Sequence, residues 1–227
     1  MESEERIQNT IFNDKRMDAY IDKYFEEFTL SPEQEEALNI WIDKLNNDQL
    51  TSEKGNYHNF FEIILEDLLG YKRSDVKHEE NIGDEGHPVE FVLEKDGKDY
   101  VIIELKGTTY KDLTKRRPGH QSPVEQATNY ASAKKETEWA TVSNYDEFRF
   151  FNPTARDNYI SFKFRQLQDL EIFKKFLLVF SKFSLIDEDI PKKLLNETKV
   201  IERELENEFY QLYSDTRLMI IKELEYS

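Results

Sequence analysis

The sequence contains no cysteine, which excludes both a disulfide framework and a thiolate metal site. Its four histidines are scattered, so a zinc site built on imidazole is not expected either. No apolar run is long enough to cross a bilayer and no signal-peptide pattern opens the chain, which points to a cytoplasmic protein with no membrane partner. Internal repeats and low-complexity linkers are lacking as well. Positive charge is scarce: 31 Lys and Arg face 47 Asp and Glu, and the net charge of −16 argues against broad affinity for nucleic acid. With thiolates absent and imidazoles dispersed, any metal here is held by oxygen, which favours Mg²⁺, with Mn²⁺ as a substitute.

What is present is a folded chain. Its 227 residues include 16 Phe and 12 Tyr, enough to bury a substantial core as one domain with or without an appendage. The charge is unevenly spread. Residues 1–70 carry 17 acids against six bases, whereas Lys106 to Lys135 carries seven bases against two acids. A polyanion would have to lie along that one basic stretch.

The most informative stretch runs from His87 to Gly107 and reads as two apolar strands joined by a tight turn. Lys95-Asp96-Gly97 has the form of a three-residue hairpin loop with Gly in the left-handed region. That loop pairs Glu94 with Lys98, Glu90 with Ile102 and Pro88 with Glu104. Side chains alternate along a strand, so Glu90, Glu104 and Lys106 then share one face, with the two acids roughly 7–8 Å apart at the backbone. A two-residue Asp-Gly turn would shift the pairing by one and send the acids to opposite faces. Two carboxylates entering a run as apolar as Val-Ile-Ile-Glu-Leu need a partner, and a divalent cation supplies one. The tripeptide alone is uninformative, because acid-x-Lys occurs four times, at Asp75, Asp96, Glu104 and Glu197. Only the Glu104 copy closes an apolar strand beside another acid-bearing strand.

Around this hairpin the pattern alternates. Residues 1–28 read as a charged helix, and Ser31-Pro32-Glu33-Gln34 as a capping box opening a helix to about Leu45. A third helix from Ser52 to Leu69 stops at Gly70 and carries Glu62 on the flank of its apolar face. Val76 to Ile82 reads as an edge strand. After the hairpin, 108–121 reads as a mobile basic loop holding Lys115, Arg116 and Arg117. Ser122-Pro123-Val124-Glu125 then starts a helix to about Lys135, with Ala127, Ala131 and Ala133 allowing close packing and Gln126 and Tyr130 one turn apart. Trp139–Ser143 and Phe148–Phe151 read as strands. Beyond Pro153 the pattern turns helical, ending in a long amphipathic segment from Thr198 to about Leu224. The sum is an α/β architecture, a mixed β-sheet flanked by helices, with additional helices at both ends.

In this order, Glu62, Glu90, Glu104 with Lys106, and Gln126-x-x-x-Tyr130 resemble the PD-(D/E)xK nuclease superfamily across about Ser52 to Asn152. The departure is Glu90 in Pro88-Val89-Glu90, where that pattern usually has Asp after Pro. LEDLLGY, VIIELKG, QATNYA and EWATVSNYDEFRFFN resemble more narrowly the N-terminal cleavage domain of type IIG, type I-like restriction-modification enzymes. The resemblance implies a restriction-endonuclease-like core at 51–165, a helical segment at 1–50 packed on it, and 166–227 as a connector to a methyltransferase domain. This sequence shows neither a Gly-rich S-adenosylmethionine loop nor an Asn-Pro-Pro-Tyr motif. It also implies Mg²⁺-dependent hydrolysis of double-stranded DNA, with Glu90, Glu104, the carbonyl of Leu105 and Glu62 as ligands. Lys106 would serve the water or the developing charge, and Gln126, Tyr130, Lys115, Arg116 and Arg117 would place the backbone. Specificity would lie in a target-recognition domain elsewhere, and double-strand cleavage would need a homodimer or successive nicks. The competing reading is a non-catalytic interaction module, or an inactivated nuclease fold, that binds a partner through its terminal helices.

Overall fold

A computed structural model describes residues 7–81, 88–134 and 136–225. One mixed seven-stranded sheet, in the order β1-β7-β6-β5-β4-β3-β2, forms its centre. The strands are β1 (Gln8–Asn9), β2 (Val76–Asn81), β3 (Pro88–Lys95), β4 (Lys98–Leu105), β5 (Trp139–Ser143), β6 (Glu147–Phe151) and β7 (Tyr159–Lys163). Only β4 and β5 run parallel, and the helix α4 (Pro123–Ala133) lies between them in the chain, as a parallel crossover requires. Flanking helices are α1 (Asp14–Phe25), α2 (Pro32–Asn46), α3 (Tyr57–Asn59, continuing with π-type turns over Phe60–Leu68), α5 (Leu170–Phe180) and α6 (Ile190–Glu225). This is the α/β, mixed-sheet architecture expected from the sequence, and it is consistent with a restriction-endonuclease-like core.

Aromatic side chains fill one face of the sheet. Phe91, Trp139, Phe148, Phe150 and Phe162 are buried there against Trp41 of α2, Phe60 of α3 and Phe176 and Phe180 of α5. The other face is covered by α4 and the segment leading into it, with Leu113, Val124 and Ala127 packed on Ala140, Val142 and Phe151. Small residues let α4 sit this close: Ala127 and Ala131 are buried, whereas Ala133 points to solvent. Both capping boxes form. Ser31 Oγ accepts the Gln34 N–H at 3.2 Å, Gln34 Oε1 accepts the Ser31 N–H at 3.1 Å, and Ser122 and Glu125 repeat the exchange.

Several sequence expectations change. The first segment is not one helix: Gln8–Asn9 pairs with β7, and α1 begins only after the Asn13 cap. The chain beyond Pro153 is not uniformly helical, because Tyr159–Lys163 forms β7, whose Ile160 and Phe162 enter the core. Residues Ile82, His87 and Lys135, which bounded expected elements, lie outside the described residues.

The hairpin itself is a correction. Lys95 pairs with Lys98, so the loop is the two-residue turn Asp96-Gly97, with φ of 53° and 74°. Such a turn alone would separate the acids. A bulge restores them: Glu94 pairs with Asp99 but Leu93 pairs with Val101, leaving Tyr100 as the extra residue. From Leu93 onward the pairing continues through Phe91 with Ile103, so Glu90 and Glu104 follow next on adjacent strands.

Helix α6 starts on the core, where Thr198 accepts the Asn13 N–H at 2.8 Å and Glu197 accepts from the Tyr20 hydroxyl at 2.9 Å. From Glu202 to Lys222, and at Leu224, its side chains are exposed, including Leu205, Phe209, Leu212 and Met219. No helix among the described residues is long and apolar enough to cross a membrane.

Candidate active site

Glu90 and Glu104 are both buried, at 6% and 2% exposure, and Lys106 lies beside them. Lys106 Nζ stands 2.6 Å from Glu104 Oε1 and 4.0 Å from Glu90 Oε1. Glu90 is held at both oxygens: Oε1 accepts from the Tyr57 hydroxyl at 3.2 Å, and Oε2 accepts the Leu105 N–H at 3.1 Å. Glu104 Oε2 is buried and no N–H or hydroxyl donates to it, so its contact with the Glu90 carboxyl takes a proton on one of the two acids. Burial and mutual repulsion both disfavour ionising the two acids together. Burial first, then the Glu104 charge, pushes the Glu90 carboxyl up to about 10. Burial also raises Glu104, although Lys106 pulls against it. Burial opposes charge on Lys106, yet the Glu104 and Glu90 carboxylates outweigh it and hold the ammonium above its ordinary range.

A third acid joins this cluster, and it is Glu53 rather than Glu62. Glu53 Oε2 lies 3.4 Å from Lys106 Nζ, and Oε1 accepts from the Tyr57 hydroxyl at 3.3 Å. The backbone explains how a residue ahead of α3 arrives here. A Cβ on Gly107 would lie 2.0 Å from the Thr51 carbonyl oxygen, so only glycine lets the end of β4 press against this segment. The Thr108 N–H donates to the Leu50 carbonyl at 2.9 Å, and the Tyr145 hydroxyl donates to the Glu53 carbonyl at 2.7 Å. Glu62, by contrast, stands one turn after His58 on the exposed edge of α3 and pairs with it at 3.0 Å. Glu62, a ligand implied by the resemblance, is therefore engaged with His58 on the outside of the helix and not with Lys106. Periodicity places Glu62 on a flank, but only the tertiary contact at Gly107 reveals Glu53.

The cluster opens into a cleft of about 310 Å³ whose lining includes Glu53, Lys106, Gly107, Arg117, His120 and Gln126. Gln126 Oε1 is buried without a partner on the wall of this cleft. Tyr130, one turn on, packs instead on Val89, Val92 and Ile102. The basic loop is anchored where mobility was expected. Leu113 is fully buried, its carbonyl accepts the Val124 N–H at 3.2 Å, and the Tyr110 carbonyl accepts from Asn144 Nδ2 at 2.8 Å. Arg117 lies over the Tyr110 ring at 4.2 Å and faces the cleft. Arg116 forms a two-pronged pair with Glu125, and Lys115 is exposed.

Among the described residues, no group of three or more His, Cys, Asp and Glu side chains stands ready to hold a metal. Mg²⁺ does not require one, since it is commonly bound through one or two carboxylates and keeps several waters. The unpartnered Glu104 Oε2 beside Glu90 is a pair of oxygens that needs either a shared proton or a cation, and in that respect the residues fit. Leu105, expected to contribute its carbonyl, contributes its N–H to Glu90.

No family model and no curated protein sequence matches the chain. Among solved structures, a match is found to the type IIG restriction endonuclease BpuSI, with 20% identity over 45% of this chain and a TM-score of 0.31. The match covers 12% of that protein, and a likeness at this level assigns no activity here.

Proposed function

We propose that this chain is a Mg²⁺-dependent endodeoxyribonuclease domain of the PD-(D/E)xK kind, hydrolysing phosphodiesters in double-stranded DNA as part of a type IIG-like restriction-modification enzyme. The observation that carries this reading is the buried Glu90–Glu104 pair, with one oxygen unpartnered, beside an ammonium at 2.6 Å and an open cleft. Burying two like charges is costly unless something is gained by it, and a site that exchanges a proton for a cation is such a gain.

In this reading Glu90 and Glu104 hold the ion, and Glu53 holds water at its edge or keeps Lys106 in place. When bound, Mg²⁺ supplies Lewis-acid polarisation of a water and of the scissile phosphate. Lys106 neutralises Glu104 in the metal-free protein. With a cation held by Glu90 and Glu104, the Lys106 ammonium would be free to face the phosphate and offset the charge that builds there. Tyr57 and the Leu105 N–H fix the orientation of the Glu90 carboxylate. Arg117 and Gln126 face the cleft and position the DNA backbone, with Lys115 and Arg116 on its approaches. Such contacts position without reading sequence, so specificity belongs to a target-recognition domain elsewhere. We place the nuclease core at 51–165, with 1–50 packed on it and 166–227 as the connector toward a methyltransferase domain. Cutting both strands requires a homodimer or two successive nicks.

The test is nicking of supercoiled plasmid with Mg²⁺ or Mn²⁺. Wild-type protein is expected to nick, and Glu104→Ala and Lys106→Ala to abolish it. Nicking that survives both substitutions refutes the site. The exposed apolar side chains of α6 favour a second reading, a non-catalytic or inactivated module that binds a partner through its terminal helices. Under that reading no metal-dependent nicking occurs in any variant.

A further inference from the structure

Tyr57, which donates to Glu90, also lines a second cleft, of about 300 Å³, between α3 and strands β2 and β3. Its floor is aromatic: Tyr57, Phe61 and Phe91 line it and are themselves buried. Its rim carries Lys54, His58, Arg73 and His78, all exposed, with His58 paired outward to Glu62 at 3.0 Å, and among the described residues that line it there is no acid. That is a local reversal in a chain of net charge −16, within a region dominated by acids. The rim and the rings already meet, with the Arg73 guanidinium 4.8 Å from the centre of the Phe61 ring and the His78 ring edge-on to Tyr57 at 5.3 Å.

An aromatic floor, with the Tyr57 and Phe91 rings inclined at 70°, beneath the positively charged Lys54 and Arg73 is complementary to a base carrying a phosphate. The volume lies at the lower end of the usual range for ligand clefts, about 300–1,000 Å³, so it admits one nucleotide rather than several. We propose that this cleft binds a single nucleotide unit of a DNA strand, with the base over Phe61 and Phe91 and the phosphate between Lys54 and Arg73. This rests on the nuclease reading for the identity of the strand. Because Tyr57 is a wall of the cleft and also a hydrogen-bond donor to Glu90, a nucleotide seated there places a neighbouring phosphate toward the carboxylates. The cleft thus holds an unpaired nucleotide beside the bond to be cut.

The experiment follows the histidine ring protons by NMR in EDTA, so that it reports binding whether or not the protein cleaves. The probes are thymidine 5′-monophosphate and a short single-stranded oligothymidylate. His58→Gln and His78→Gln assign the signals. Both probes are expected to shift His58 and His78 saturably, the oligonucleotide with higher affinity, while the mononucleotide leaves His120 in the other cleft unmoved. Arg73→Ala, on the exposed rim, is expected to weaken both about tenfold or more through loss of a charge-assisted contact. Signals of His58 and His78 that do not move, or equal affinity in Arg73→Ala, overturn the proposal. Binding of the mononucleotide without the oligonucleotide overturns the assignment to a strand. A protein inert toward plasmid but with these shifts keeps the cleft and loses the nuclease.

Discussion

Replacing Glu90 by Gln in the metal-free protein should change how stability depends on pH. The Glu90 carboxyl is 6% exposed, and burial together with the Glu104 charge raises its pKa to about 10, far above its value in the unfolded chain. Between those two values the native chain holds a proton that the unfolded chain has lost. Stability is therefore greatest near and below the unfolded carboxylate pKa and falls as pH rises, by about 1.4 kcal/mol per unit for one proton. Glutamine removes that proton from the exchange while keeping the shape, and its amide oxygen still accepts the Leu105 N–H. At about pH 8 the variant should be the more stable metal-free protein, by on the order of 2–4 kcal/mol. Urea unfolding in EDTA, from about pH 5.5 to about pH 8.5, measures this through the midpoint at constant slope. Mg²⁺ should reverse the order, because cation binding displaces the proton and stabilises only the wild type strongly. Wild-type and variant curves that run parallel across this range would refute the shared-proton reasoning.

Other consequences are simpler to measure. Gly107→Ala puts a Cβ 2.0 Å from the Thr51 oxygen, with backbone on both sides, and should cost about 1–3 kcal/mol in urea unfolding and lower nicking by displacing Glu53. Glu53→Ala should reduce metal-dependent nicking at least tenfold, a rise of about 1.4 kcal/mol in the barrier, whereas Glu62→Ala, at an exposed pair, should stay within about 1 kcal/mol in stability and leave nicking unchanged. Equal effects of those two substitutions would contradict the placement of the cluster. Ser122→Ala removes the cap of α4 and should destabilise by about 1 kcal/mol in the same unfolding assay.

The acids on the hairpin were legible because Val-Ile-Ile-Glu-Leu is too apolar to tolerate a carboxylate without a partner. The loop was not. Asp-Gly reads equally well as part of a two- or three-residue turn, and the bulge that rescues the pairing at Tyr100 leaves no mark in an alternating pattern. Both capping boxes were plain, since Ser-Pro-x-Gln and Ser-Pro-x-Glu state their own hydrogen bonds. β1 was beyond reach, because two residues have no period and form a strand only when β7 offers an edge. β7 was missed for a different reason: Tyr-Ile-Ser-Phe-Lys does alternate, but it sits directly before a run of helical periodicity that dominated the reading. Glu53 lies in a polar stretch with no pattern of its own, and only the close approach of Gly107 to Thr51 carries it to Lys106.

The most direct measurement is a crystal of this chain soaked in Mn²⁺, with anomalous scattering recorded for the wild type and for Glu104→Ala. A peak between the Glu90 and Glu104 carboxylates is expected, with Lys106 displaced from Glu104 and the peak gone in the variant. Lys106 still bonded to Glu104, with no anomalous density near either carboxylate, would contradict the metal site and the hydrolytic function drawn from it.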